Sequence, residues 1–340
     1  MTRLRFSSSD GLLLLMTTIW GVNYSIVKVA LREIPPLPFN SLRLGMASLL
    51  FLLTLALCRR GLTPTIGLRG STGSPPPGLV EGRTSDCPAS APPVFQRSRI
   101  NPRDWLLIAG FGLIGHFVYQ LCFLFGLDRT TVANSSLILG CSPVVVALLS
   151  AAVGHERVRP LHWAGVALSV AGIYFVVGRG ARIGGESLAG DVLTICGLVC
   201  WGVYTVGAKG LLDRHSPLEV TGYSMAIGTI PYALLSAGEM RAFDWSRVQV
   251  QTWMALVFSA VFALFVAYLI WYAAVQRIGN VRTAMCSNVT PVAALAVAVL
   301  WLGERLTIDE VAGAIAILTG MALTRLVPVP PARAIAPAEE

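Results

Sequence analysis

Long apolar runs alternate along the whole chain with short breaks rich in Arg, Pro and Gly. The runs fall near residues 12–31, 40–58, 105–126, 131–152 and 161–178, and again near 190–211, 219–237, 252–274, 281–302 and 308–326. Each has about the length that crosses a hydrocarbon layer of roughly 30 Å as a helix rising 1.5 Å per residue. An isolated segment in lipid satisfies its backbone hydrogen bonds only as a helix, and no run shows the alternating pattern of a barrel strand. The pattern predicts an all-α polytopic membrane protein with ten transmembrane helices. Arg3 and Arg5 precede the first run as they would in a signal peptide. That run continues to about Ala30 without a small-residue cleavage site, so it is expected to stay as the first span.

The two halves match at fixed offsets. Trp20, Gly21, Lys28 and Pro36 recur 181 positions later as Trp201, Gly202, Lys209 and Pro217. Further along, Arg129, Pro143, Glu156, Arg157, Gly165 and Gly172 recur 148 positions later as Arg277, Pro291, Glu304, Arg305, Gly313 and Gly320. An insertion of 33 residues between spans 2 and 3 reconciles the two offsets. The segment at about 59–103 is rich in Pro, Gly and Ser and is where that insertion must lie. Its composition predicts a disordered loop, read either as a tether or as a partner-binding segment. Five spans per half is an odd number, so the second half must enter the membrane from the opposite side. The expected architecture is two inverted five-helix repeats, 11–178 and 190–326, followed by a cytoplasmic tail at 327–340.

Composition agrees with a chain solvated by lipid: 54% of residues are hydrophobic and 13% charged. The net charge of +8 comes from arginines in the breaks, so it reads as topology rather than as nucleic-acid binding. Basic residues favour the face that carries both termini, with seven of them in the long loop. Both termini are therefore expected in the cytoplasm, and the expected location is the bacterial inner (cell) membrane. Seven cysteines show no CxxC pair and no ligand-spaced His, which predicts neither a disulfide framework nor a metal site.

The Trp-Gly opening of span 1 followed by Lys28 and Pro36, the Pro143 and Pro291 spans, and the run Gly303, Glu304, Arg305 together resemble the EamA-type transporters of the drug/metabolite transporter superfamily. The resemblance covers both halves. It implies a ten-helix fold whose central cavity is lined mainly by spans 1–4 and 6–9, with spans 5 and 10 peripheral. The long insertion departs from the family pattern, as does His155 where a Gly is expected before Glu156.

Several side chains are candidates for the cavity. Lys28 and Lys209, the two lysines of the chain, sit near span ends, where they either snorkel to the interface or meet cargo. Arg43 lies a few residues into span 2 and has Ser224 as its counterpart. Facing a cavity, it could hold a carboxylate through two parallel hydrogen bonds; otherwise it anchors the helix end. Polar and aromatic positions recur on spans 1 (Trp20, Asn23, Tyr24), 3 (His116, Tyr119, Gln120), 4 (Asn134, Ser135) and 6 (Trp201, Tyr204). Spans 8 (Tyr268, Trp271, Tyr272) and 9 (Asn288, Thr290) add more. Each of these either lines a cavity or ties helices together. His116 could relay protons, although no Asp or Glu lies well inside a span to partner it. Pro143 and Pro291 are read as packing kinks or as hinges. Gly165 with Ser169, and Ala312, Ala316 and Gly320, are small residues four apart that permit close helix packing or dimerisation.

These features predict a permease or exporter of small metabolites, such as amino acids or related compounds, working by alternating access. A drug exporter and a nucleotide-sugar or sugar-phosphate exchanger are the other transport readings. A receptor or scaffold would use the Pro-rich loop. No HExxH, GxSxG or paired intramembrane carboxylates point to an enzyme. The partners implied are a small solute and the bilayer, with no nucleic acid and no cofactor, in a monomer or homodimer.

Overall fold

The computed structural model describes residues 8–60, 94, 98–154, 186–287 and 289–325, with isolated positions between 164 and 175. Among these residues all regular structure is helical. Helices α1 (Ser8–Ala30), α2 (Pro36–Arg59) and α3 (Pro102–Arg129) are followed by the broken pair α4 (Val132–Gly140) and α5 (Ser142–Ala152). The second half contains α6 (Glu186–Leu212), α7 (Pro217–Ala242), α8 (Val250–Ile278), a second broken pair, α9 (Asn280–Cys286) and α10 (Val289–Leu302), and then α11 (Ile308–Arg325). Most of the predicted fifth span, most of the 59–103 insertion, Glu156, Ser169, Asn288 and the 327–340 tail lie outside the described residues.

Six stretches among the described residues are long and apolar enough to cross a membrane: those of α1, α2, α3, α4 with α5, α6 and α8. Their outward faces carry Leu14, Leu15, Leu52, Leu53 and Leu106, and the neighbouring helices add Leu234 and Leu300, all exposed. So much exposed aliphatic surface on helices of spanning length fits lipid as the solvent. The chain is an integral membrane protein.

Local chemistry sets the helix ends. Pro36 and Pro217 occupy the first helical turns of α2 and α7, where the missing N–H has no intrahelical role. Ser216 then caps α7 by accepting from the Glu219 amide. Asn101 caps α3 in the same way, accepting from the Asp104 amide at 2.8 Å.

Two predicted spans are interrupted. The run 131–152 breaks at Cys141 and restarts with Pro143 in the first turn of α5. The run 281–302 breaks after Cys286 and restarts with Pro291 in the first turn of α10. Proline suits the start of a helix but not its interior, so each break spares one backbone clash.

Packing joins the halves. Helix α2 runs along α7, α1 along α10, and the second part of α3 along α6. Gly172 lies against Gly313 and Ile317 of α11, so these small residues serve close packing within the chain.

Polar ties close both ends of the bundle. At one end, Arg214 donates to Asp104 at 2.6 Å and His215 Nε2 meets the other Asp104 oxygen at 2.8 Å. His215 Nδ1 touches the Ser98 hydroxyl, which also donates to Glu219 at 2.9 Å. At the other end, Glu33 accepts from the Gln249 amide at 3.0 Å and from Thr252 at 2.8 Å, capping the start of α8. With the repeat offsets of 181 and 148, Glu33 corresponds to Arg214 and Thr252 to Asp104, so the two ties use matched positions.

Candidate functional site

A cavity of about 70 Å³ lies between the halves. Its wall takes Trp20, Asn23 and Tyr24 from α1, Arg43 from α2, and Tyr119, Gln120 and Phe123 from α3. The broken helices contribute Leu139, Gly140 and Ser142 on one side and Ser287 and Thr290 on the other. Trp201 comes from α6, and Ala263, Leu264 and Tyr268 come from α8. The volume holds only a few waters, so a metabolite fits only when the wall moves outward.

One side of the wall is a ring cluster. Trp20 and Trp201 meet edge to face with centroids 5.7 Å apart, and Tyr268 and Trp271 pack against both at 5.3–6.0 Å. The Trp20 indole donates to the Ala263 carbonyl at 2.9 Å. Ala263 lies in a π-helical stretch, Ser259–Val266. A matching stretch, Leu113–Val118, occupies the equivalent part of α3. Wider π turns within α-helices concentrate at functional sites; Ala263 and Leu264 of one stretch lie on the cavity wall and His116 of the other is buried.

The opposite side is polar and cationic. Arg43 is 1% exposed. Its Nε donates to Asn40 at 2.9 Å, Nη1 to Ser259 at 3.1 Å and Nη2 to Gln120 at 2.6 Å. Phe39 and Phe123 each place a ring 5.8 Å from the guanidinium. Gln120 in turn donates to the Tyr268 hydroxyl at 3.3 Å, which links the cation to the aromatic side.

The sequence candidates divide in space. Trp20, Asn23, Tyr24, Arg43, Tyr119, Gln120, Trp201 and Tyr268 meet on the wall. Trp271 and Tyr272 stand behind it against Trp201. His116, Tyr204 and Ser224 form a buried triangle one layer away, with His116 Nε2 3.0 Å from the Tyr204 hydroxyl and that hydroxyl 2.7 Å from Ser224. Asn134 instead donates to Asp191 at 3.3 Å, and Thr130 donates to the same carboxylate at 2.6 Å. Lys28 donates to the carbonyls of Leu127, Asp128 and Thr130 at 2.7, 2.8 and 2.8 Å, closing the end of α3. Lys209 pairs with Asp213 one turn on.

Asn40 and Ser259, which hold Arg43, were not among the candidates. Asn40 sits three residues before Arg43 on one helix, a spacing that places both on one face and could have been read. Ser259 carried no such signal. Among the described residues no group of three His, Cys, Asp or Glu could hold a metal ion.

A model of the EamA-like transporter family matches residues 89–178 and 188–326. The chain belongs to this family. It is 27% identical to a transporter of Archaeoglobus fulgidus over 94% of this chain and 97% of the relative. A Salmonella typhimurium protein named as a probable amino-acid metabolite efflux pump is 27% identical over 93% of this chain and 94% of the relative. The Escherichia coli protein of the same name is 25% identical over 93% and 94%. A solved crystal structure shares the fold, with a TM-score of 0.63 at 20% identity, covering 94% of this chain and 98% of that one.

In this EamA-like chain the Gly-Glu-Arg run has a visible task. Gly303 adopts φ +68°, a left-handed turn that costs glycine little. That turn brings the Glu304 carboxylate onto the amides of Val132 and Ala133 at 3.0 and 3.1 Å, capping α4 in the other half. The first half has His155 where this glycine stands, and its left-handed residue is Gly154, at φ +80°, one position earlier.

Proposed function

We propose that the protein exports small metabolites, amino acids or related compounds, by exposing its central cavity alternately to the two faces of the membrane. The moving parts are two inverted five-helix repeats, 11–178 and 190–326, in a bacterial inner membrane with both termini cytoplasmic.

One observation carries this reading: residues related by the repeat offsets touch each other. Ser48 and Thr229, 181 positions apart, hydrogen-bond at 2.9 Å. Trp20 and Trp201, also 181 apart, pack ring to ring. Gln120 and Tyr268, 148 apart, hydrogen-bond at 3.3 Å. A residue meets its own counterpart only near a two-fold axis, and two of these three pairs lie on the cavity wall. Contacts away from the axis should then come in duplicate, and one matched pair supports this. A Cβ on Gly21 would stand 2.6 Å from Ala293, and one on Gly202 would stand 2.7 Å from Val145, the counterpart of Ala293. Inverted repeats around a midplane site with broken helices are the arrangement from which alternating access follows. The relatives named as amino-acid metabolite efflux pumps support the cargo class and the outward direction.

The test compares metabolites inside and outside cells that overproduce the intact protein with cells producing Trp20→Ala, Trp201→Ala at equal membrane level. The proposal expects an amino acid or related compound to be displaced outward only by the intact protein. Displacement of no compound by the intact protein would reject export.

A further inference from the structure

Arg43 is a cation sealed inside the bundle, yet its three hydrogen-bond partners, Asn40, Gln120 and Ser259, are all neutral. Among the described residues no Asp or Glu lies on the wall of the cavity it borders. Such a charge is costly to hold at membrane depth, and pairing with an anion relieves that cost. We propose that Arg43 is the anchor for a single carboxylate of the cargo.

The donor arithmetic leaves room for it. A guanidinium has five N–H groups, and the three bonds above use one on each nitrogen. One N–H therefore remains on Nη1 and one on Nη2 for the oxygens of a carboxylate to accept. The fixed bonds hold the fork in place before cargo arrives, so little side-chain entropy is lost on binding. Gln120 and Tyr268 add neutral polar groups beside the fork, and the Trp20, Trp201 and Tyr119 rings offer an apolar bed beyond it.

Charge matching narrows the class. One fixed positive charge fits a monoanion, whereas a phosphate dianion would need a second cation that the wall does not supply. An amino acid's ammonium would likewise find no carboxylate on the wall. The anchored cargo is therefore a monocarboxylate with an apolar or aromatic body. An amine is not required, so N-acylated or deaminated relatives of an amino acid should bind at least as well as the amino acid itself. This inference rests on the transport reading for its setting and is tested separately from it.

The experiment titrates purified full-length protein in nanodiscs, reading intrinsic tryptophan fluorescence because Trp20 and Trp201 line the cavity. The probes are phenylalanine, N-acetylphenylalanine, phenylacetate, phenylacetamide and inorganic phosphate. Expected is saturable binding of phenylacetate and N-acetylphenylalanine, with phenylacetamide at least about tenfold weaker and phosphate failing to compete. Arg43→Gln should abolish the preference for carboxylate over amide. Arg43→Lys should keep the preference at lower affinity, which separates a lost charge from a lost fold. Equal binding of acid and amide, undiminished carboxylate binding in Arg43→Gln, or no binding of any carboxylate overturns the proposal. Flux of the bound probe is then followed in proteoliposomes. Arg43-dependent binding without flux would reject transport and keep the anchor, while flux indifferent to Arg43 would do the reverse.

Discussion

Lys28→Met tests whether the buried-end lysine holds the fold or the cargo. In the structure its ammonium bonds three backbone carbonyls, those of Leu127, Asp128 and Thr130, at 2.7–2.8 Å. These carbonyls close α3, where the negative end of the helix dipole collects and intrahelical donors run out. A buried hydrogen bond to a charged group contributes about 1.5–3 kcal/mol. Lys28 is partly exposed, so water replaces some of what the methionine variant loses, and the net cost is on the order of 3 kcal/mol rather than the full sum. Over the 340 residues of the chain that corresponds to a fall of roughly 4 °C in the thermal midpoint of the purified protein, read by a thiol-reactive dye or by loss of monodisperse material after heating. Cargo affinity of the surviving folded fraction should be unchanged. A variant that melts like the parent but loses cargo affinity would refute the reasoning and return Lys28 to the binding site.

Three further outcomes follow from the same geometry. Glu304→Ala leaves the amides of Val132 and Ala133 without their acceptor and should cost about 1–2 kcal/mol, seen as a lower thermal midpoint. Gly21→Leu and Gly202→Leu place side chains where even a Cβ would stand only 2.6–2.7 Å from the neighbouring helix, so each should destabilise by about 1–3 kcal/mol; if only one of the two did so, the paired packing would be in doubt. Trp20→Phe keeps a ring in the cavity wall but removes the donor to Ala263. It should lower flux while leaving membrane abundance near normal, with normal flux counting against a role for that hydrogen bond.

How much of this was legible depended on where the information sits. Trp20 and Trp201 could be found because the repeat writes the same dipeptide twice. Arg43 stood out because a cation inside an apolar run is costly by itself. Lys28 and Lys209 looked equally informative, but the Lys28 partners are main-chain carbonyls, which no residue pattern displays. The Lys209 partner, Asp213, was one turn away in plain view. The partner of Asn134 is not visible in the sequence, because Asp191 starts the sixth apolar run, where a carboxylate looks like a solvated end; folding buries it against Thr130 and Asn134. At the two prolines the sequence shows only continuous apolar runs, whereas in the structure each run is divided into two helices. The left-handed glycine of the first half, Gly154, stands one position before His155 in the sequence.

The central claim is one cavity presented to both faces of the membrane, and thiol accessibility tests it most directly. Ser142 and Ser287 lie on the wall, from the two broken helices. Each is replaced by cysteine in a background whose native cysteines have been removed, and a membrane-impermeant thiol reagent is added to right-side-out or inside-out vesicles. The account predicts labelling of both positions from either face, with protection when a bound carboxylate is present. Labelling from one face alone, however long the exposure, would contradict it.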